Sequence, residues 1–126
     1  ETWYPVFCMV GFHSKQACLS FEWFMKRALR LKSIKTPVQL GNTIKELHLS
    51  RTSAFHRRIL SLVVLLKWKS YIQETKLMDM PKWWCDKLKL VWLERTMYPD
   101  SLESHVDIPV LFLDHPDISL YACLDC

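Results

Sequence analysis

Glycine is scarce in this sequence, with only 2 among 126 residues. Because glycine supplies the positive φ angles of tight hairpin turns and of many phosphate-binding loops, its scarcity argues against hairpin-rich β folds and nucleotide-binding loops. The motifs of nucleophile elbows, Walker loops, dinucleotide sites and H-E-x-x-H zinc proteases are all missing. The sequence therefore predicts a mainly α protein with no catalytic site and no cofactor.

Basic residues are absent from the C-terminal end. All 17 Lys and Arg lie between Lys15 and Arg95, whereas six of the 13 acidic residues follow Tyr98. The first 98 residues carry 17 − 7 = +10 and the last 28 carry 0 − 6 = −6. Such polarity indicates either a basic body neutralised by its own acidic end or an anionic partner on the body.

The sequence also lacks an apolar run long enough to cross a bilayer, so no membrane partner is expected. Residues 53–75 are its most apolar stretch, but charged side chains flank and interrupt it, including Arg58 and Lys67. Its apolar residues are too crowded to form a single stripe, and a helix apolar around most of its girth must be covered on several sides. We therefore predict a central helix over 53–75.

The length is typical of one domain. We expect an apolar N-terminal arm or short strand at 1–13, a basic helical body at 14–98 and an acidic segment at 99–126. The predicted architecture is a compact helical bundle of four or so helices around the central helix 53–75. An extended acidic C-terminal strap, or a short strand, would cover it.

Capping residues divide the helical body. Ser14 is a suitable N-cap for a helix running to about Leu31. A second short helix is predicted within 38–49. Asp79, followed by a proline in the first turn, indicates a further helix that continues to about Tyr98.

Cysteine and histidine give two weak metal or catalytic patterns. The five cysteines are an odd number, which favours a reduced, intracellular setting, with a secreted protein carrying one free thiol as the alternative. Cys123 and Cys126 have zinc-knuckle spacing, but no second pair matches it, so a role as small apolar residues is favoured and no metal is expected. The remaining candidates for zinc ligation are Cys8, His13 and Cys18. A further cluster is typical of an ordinary loop, with metal ligation or proton transfer as the alternative, and comprises His105, Asp107, Asp114, His115 and Asp117.

The six tryptophans indicate where contacts are expected. Trp23, Trp68 and Trp92 lie on apolar faces and are predicted to be core residues. Adjacent helical residues point about 100° apart, so one of Trp83 and Trp84 is expected at the surface. Beside them lie Lys82, Lys87 and Lys89, which makes nucleic acid an alternative partner through phosphate contact and stacking.

One segment resembles a known family. Residues 40–47 read L-G-N-T-I-K-E-L, and a later amphipathic helix ends in Trp68-Lys69. Together they resemble the N-terminal domain of transcription elongation factor TFIIS, a module also found in elongin A and Mediator subunit 26. The resemblance covers about residues 24–72 and departs from the family pattern at Asn42, where the family usually has lysine.

The resemblance implies a docking module for short acidic-hydrophobic motifs of nuclear partners, with Lys45 and Lys69 as contacts. We therefore predict a non-catalytic helical protein-interaction module in transcription, located inside the cell and in the nucleus. Its partner would be a short linear motif or a helical subunit. The alternatives are a nucleic-acid-binding basic helical protein and a helical secreted or viral interaction protein. The predicted partner-binding residues are Lys45, Lys69, Lys82, Trp83, Trp84 and Lys87.

Overall fold

The computed structural model describes residues 6–35 and 54–113. Within these two ranges the chain forms three helices, three short strands and two 3-10 turns. In chain order the helices and strands are β1 (Phe7–Val10), α1 (Lys15–Arg27), α2 (Lys32–Lys35), α3 (Ala54–Thr75), β2 (Lys89–Trp92) and β3 (Val110–Phe112). The 3-10 turns are Arg95–Met97 and Asp100–His105.

The strands form one mixed sheet in the order β1-β2-β3. β1 and β2 are antiparallel, with Phe7 opposite Trp92, and β2 and β3 are parallel, with Leu90 opposite Val110. The predicted four-helix bundle is therefore wrong, since this part of the chain combines helices with a sheet. The predicted N-terminal arm and C-terminal strap contribute its two outer strands.

The helix predicted from Pro81 to Tyr98 is replaced by turns, β2 and a 3-10 turn. Leu88, Leu90 and Trp92 alternate along the chain and all enter the main core, which is the period of a strand. The other face of the sheet buries Cys8, Val10 and Val91. Both faces of β2 are thus covered from Leu90 to Trp92, which explains why these three residues are all apolar, while Lys89 at the start of the strand is exposed.

The central helix is confirmed as α3, Ala54–Thr75. Every residue from 59 to 66 is buried, so the helix is covered on all sides over this stretch. α1, α2 and the 3-10 turn Asp100–His105 pack against it. Burial of each large aliphatic side chain contributes roughly 1.5–3 kcal/mol, so α3 supplies much of the core energy.

The predicted N-cap of α1 is also confirmed. Ser14 has an extended backbone, and its side-chain oxygen accepts a hydrogen bond from the Ala17 N–H at 3.0 Å. α1 ends at Arg27, earlier than predicted, because the next residues form a turn in which the Arg30 N–H donates to the Arg27 carbonyl at 2.9 Å, three residues back. The helix predicted within 38–49 lies outside the described residues.

One glycine is required by the junction between β1 and α1. Gly11 has φ +95°, and a Cβ at this position would lie 2.2 Å from the Lys87 carbonyl oxygen. The chain after β1 therefore passes directly against the backbone before β2. Only glycine permits both this approach and this backbone conformation.

Candidate functional site

The C-terminal end of α3 reverses the chain and exposes two apolar side chains. Lys76 has φ 54°, and its N–H donates to the Ile72 carbonyl at 2.8 Å, which is the geometry of a left-handed helix cap. The next two residues, Leu77 and Met78, are 71% and 50% exposed. They are the two most exposed of the large apolar side chains in the described ranges.

An open groove of about 390 Å³ lies between this reversal and α2. Its volume falls within the range of protein ligand pockets, about 300–1,000 Å³. Its lining comprises Lys32, Ser33, Trp68, Tyr71, Ile72, Leu77 and Met78. Five of these seven side chains are apolar or aromatic, and the single charged one is basic. We refer to this feature as the α3 groove.

Ring contacts connect the α3 groove to an exposed aromatic on α1. The Phe24 ring lies 5.5 Å from Trp68 and 5.0 Å from Trp23. Trp23 is 45% exposed, and the Arg27 guanidinium lies 4.4 Å from its ring centroid. The core role predicted for Trp23 is therefore wrong, because its face of α1 is turned outward and also exposes Leu19. Trp68 and Trp92 are buried, as predicted.

The chain beside the groove is strongly basic. Residues 26–35 contain five basic side chains and no acidic one. Lys26 pairs with Glu22 at 3.1 Å, but both groups are exposed and such surface pairs contribute little to stability. The groove is therefore flanked on its α2 side by positive charge that is not neutralised within the segment.

Lys69 of α3 is placed very differently from a surface lysine. Its side chain is only 3% exposed, and its Nζ donates to Asp107 Oδ2 at 2.6 Å. The same ammonium lies 4.1 Å from the centroid of the Trp84 ring. Ser70 Oγ donates to the same carboxylate oxygen at 3.0 Å. These contacts fasten α3 to the segment that leads into β3.

Two of the predicted partner contacts are buried, which corrects their assignment. Lys69 is occupied by Asp107 and Trp84 as described, because the face of α3 on which it lies is covered by the C-terminal segment. Trp83 is fully buried with its ring 5.1 Å from Phe21, and its indole N–H has no hydrogen-bond partner in the described structure. Both residues have core roles in place of the predicted contact.

The other predicted contacts divide into three cases. Trp84 is half-buried, the Lys69 ammonium lies over its ring, and the pair does not form an open stacking platform. Lys82 and Lys87 are exposed, so their role as contacts stays a prediction. Lys45 lies outside the described residues.

The candidate metal and acid–base residues do not assemble in the described ranges. There, no group of three or more His, Cys, Asp or Glu is placed to hold a metal ion. His105 is buried in a 3-10 turn, and Asp107 is engaged by Lys69. Asp114, His115, Asp117, Cys123 and Cys126 lie outside the described residues. His13 is exposed, and Cys8 is buried in β1.

Cys18 and Cys85 differ in oxidation state. Cys18, buried on α1, is disulfide-bonded. Cys85 is a reduced thiol whose Sγ lies 3.2 Å from the Gly11 carbonyl oxygen, to which it donates a hydrogen bond. That contact links the turn before β2 to the glycine junction after β1. Cys85 is therefore part of the packing between these segments.

Comparison with known proteins adds no family to this description. No protein-family model, curated protein or solved structure matches the chain. Within residues 6–35 and 54–113, none of the helices is both long and apolar enough to cross a membrane. Part of the segment that resembles the TFIIS domain, residues 36–53, lies outside the described residues, and the resemblance stays a prediction.

Sequence reasoning missed the residues that form the α3 groove. Leu77 and Met78 occupy what the sequence indicates is a short joint after the central helix. The available signal was two adjacent apolar residues between the charged Lys76 and Asp79, in a segment with no helical period to bury them. Apolar residues in such a joint have no partner face along the chain, and they mark an exposed patch.

Proposed function

We propose that this protein is a non-catalytic interaction module whose α3 groove binds a short acidic-hydrophobic segment of a partner protein. The observation that carries the proposal is the exposure of Leu77 and Met78 at the rim of a groove that also contains Lys32. Contiguous exposed apolar side chains next to a groove are typical of interaction sites, whereas isolated ones are ordinary.

The chemistry of the groove supports a peptide with apolar anchors. Tyr71 and Trp68 offer aromatic surface, and Met78 has a flexible thioether that adapts to differently shaped side chains. Apolar anchors of a peptide would bury against these residues, as in other peptide grooves. Lys32 and the basic segment 26–35 would attract acidic residues flanking the anchors and fix the direction of binding.

The partner's biological setting is a separate matter. A role in transcription, and a nuclear location, rest on the resemblance of residues 24–72 to the TFIIS N-terminal domain. The groove chemistry is compatible with that family's preference for acidic-hydrophobic motifs. It carries no information about where in the cell the partner resides.

The test is a titration of the ¹⁵N-labelled full chain with a peptide carrying Phe and Leu anchors flanked by Asp and Glu. We expect chemical-shift changes at the α3 groove, strongest near Tyr71, Leu77 and Met78. Leu77→Ser should weaken binding by about tenfold, which corresponds to ~1.4 kcal/mol. Because Leu77 is 71% exposed, this change should leave the fold intact.

A matched control comes from the sheet. Leu111 of β3 is also a large exposed apolar residue, at 40%, and it does not line the groove. Leu111→Ser should therefore leave the affinity unchanged. Lys32→Glu should reverse the preference between the acidic peptide and one with Lys at the flanking positions. Equal loss in both serine variants, or no shifts at millimolar peptide, would contradict the proposal.

The same preparation tests the nucleic-acid alternative. A single-stranded oligonucleotide that bound with steep salt dependence, and lost affinity in Lys82→Ala and Lys87→Ala, would favour that alternative. The covered ring of Trp84 argues against base stacking at this position. We therefore expect the acidic peptide to bind more tightly than the oligonucleotide at physiological salt.

A second candidate is a secreted interaction protein, which is favoured by the disulfide at Cys18. Disulfides persist mainly in oxidising compartments. Mass spectrometry of the natively purified protein, with free thiols blocked in denaturant under non-reducing conditions so that buried thiols also react, should leave Cys18 unlabelled. Labelling of Cys18 to the same extent as Cys85 would remove this candidate.

A further inference from the structure

A second, smaller cavity lies on the sheet side of the molecule, away from the α3 groove. Its volume is about 240 Å³, below the range of pockets for drug-sized ligands, so it suits a compact chemical group. Its lining consists of Tyr98, Glu103, Val106, Ile108, Val110 and Phe112. None of these residues contributes to the groove proposed above.

Aromatic and aliphatic surfaces form most of the walls. The rings of Tyr98 and Phe112 are 5.0 Å apart at an angle of 81°, which gives two walls nearly at right angles. Ile108 is buried, and Val106 and Val110 are half-buried. A bound group would therefore contact π surface on one side and methyl groups on the other.

The charge of the cavity is negative. Glu103 is the one carboxylic acid in the lining, and no basic residue is in the lining. Burial, and to a lesser extent the Glu103 carboxylate, raise the pKa of Tyr98 above its ordinary value of 10.0. The Arg95 guanidinium lies 4.4 Å from the Phe112 ring centroid, so one face of this ring already has a cation beside it and a ligand would use the remaining aromatic surface.

The walls are held in place before any ligand binds. Asp107, between two lining residues, is fixed by Lys69 at 2.6 Å. The Leu90 N–H donates to the Pro109 carbonyl at 2.8 Å and secures the next residues against β2. A cavity with fixed walls loses little conformational entropy on binding.

From these features we infer that the cavity binds an alkylammonium group. The positive nitrogen lies against the aromatic walls and near Glu103, and its alkyl substituents contact Val106 and Val110. Such a group is carried by a lysine or methylated lysine of another protein, or by a free small amine. The shared chemistry is a cation with apolar substituents, which aromatic surfaces and a carboxylate recognise together.

The test uses tetramethylammonium chloride, titrated into the ¹⁵N-labelled full chain with total chloride held constant to keep screening equal. We expect saturable shifts at Tyr98, Val106 and Val110, and none at Leu77 in the α3 groove. Neopentyl alcohol has a similar shape but no charge. It should bind at least about tenfold more weakly, because it cannot make the cation–π contact or the contact with the carboxylate.

Two exposed carboxylates in one 3-10 turn supply the matched variants. Glu103→Gln should weaken tetramethylammonium binding by about tenfold, while Asp100→Asn, outside the cavity, should leave it unchanged. Equal binding of the neutral alcohol, equal effects of the two variants, or no shifts at all would overturn the inference. Both residues are exposed, so neither variant should prevent folding.

The source of the group is resolved by a second titration. A peptide containing trimethyl-lysine that binds more tightly than tetramethylammonium, with shifts extending beyond the cavity, would identify a protein-borne ligand. Equal affinity would identify a free amine. Failure of this site leaves the acidic-peptide experiment at the α3 groove unaffected, because the two sites share no residue.

Discussion

The Lys69–Asp107 ion pair should respond unequally to removal of its two partners. The Lys69 side chain is 3% exposed, whereas that of Asp107 is 49% exposed. Removing the carboxylate leaves an ammonium buried in the protein. Removing the lysine leaves a carboxylate that water can reach. We therefore predict that Asp107→Ala destabilises the protein much more than Lys69→Met.

The magnitudes follow from the surroundings of each charge. A buried charge left without its partner costs about 3–5 kcal/mol. Because the Trp84 ring still contacts the Lys69 ammonium in Asp107→Ala, we expect this variant to lose ~3 kcal/mol of unfolding free energy, the lower end of that range. In Lys69→Met, Asp107 keeps the hydrogen bond from Ser70 and gains water, while methionine retains most of the packing. The lost charged hydrogen bond contributes about 1.5–3 kcal/mol. Removal of the buried ammonium also removes its desolvation cost, so the net loss should be smaller than that of Asp107→Ala.

The assay is equilibrium urea unfolding monitored by circular dichroism, with the free energy of unfolding extrapolated to water. Asp107→Ala should lower the melting temperature by on the order of 10 °C for a domain of this size. The double variant Lys69→Met/Asp107→Ala should be more stable than Asp107→Ala alone, because it no longer buries an unpaired ammonium.

Two outcomes would contradict the burial of the Lys69 ammonium. If Lys69→Met costs as much as Asp107→Ala, or the double variant equals the sum of the single ones, the ammonium is not buried as described. Ser70→Ala is a suitable control, because it removes a neutral donor to the same carboxylate. It should cost about 0.5–1.5 kcal/mol and show no such asymmetry.

Three further predictions concern the backbone and one titrating group. Gly11→Ala should destabilise by more than about 2 kcal/mol in urea unfolding, since its Cβ would meet the Lys87 carbonyl and φ is +95°. Lys76→Gly should stabilise by roughly 0.5–1 kcal/mol, because glycine adopts the left-handed cap without strain. The raised pKa of Tyr98 stabilises the fold below pH 10, and this stabilisation should disappear as pH rises through the folded-state value. Glu103→Gln removes the lesser cause and should lower the pKa of Tyr98 in an ultraviolet titration of tyrosinate.

The helical elements could be predicted because their signals are local. The α3 sequence is apolar around the whole helix for two turns, and burial on all sides is the only arrangement that hides it. The Ser14 cap depends on residues 14–17 alone, and the structure shows the expected hydrogen bond. Neither inference required knowledge of distant parts of the chain.

The sheet could not be predicted, because its pairing is entirely non-local. Few glycines exclude tight hairpins, but the three helices of the described ranges lie between β1 and β2 along the chain, and β2 pairs with β3 in parallel. A sheet of this kind contains no hairpin turn and needs no glycine for one. The missing hairpin signals excluded strands that are joined by tight turns. They did not exclude strands that pair from distant parts of the chain, and the prediction of a protein without a sheet was wrong for this reason.

The misassignment of Lys69 shows why charge alone does not locate a binding surface. Lys69 lies on a covered side of α3, although Arg57 and Arg58 of the same helix are exposed. A lysine on a covered side needs a compensating partner for its charge. Asp107 supplies that partner from a segment 38 residues away, and Trp84 covers the remaining side. The basic residues able to meet a partner are then those beside exposed apolar surface. By this criterion Lys32, which shares a groove with the exposed Leu77 and Met78, is a better candidate contact than Lys69.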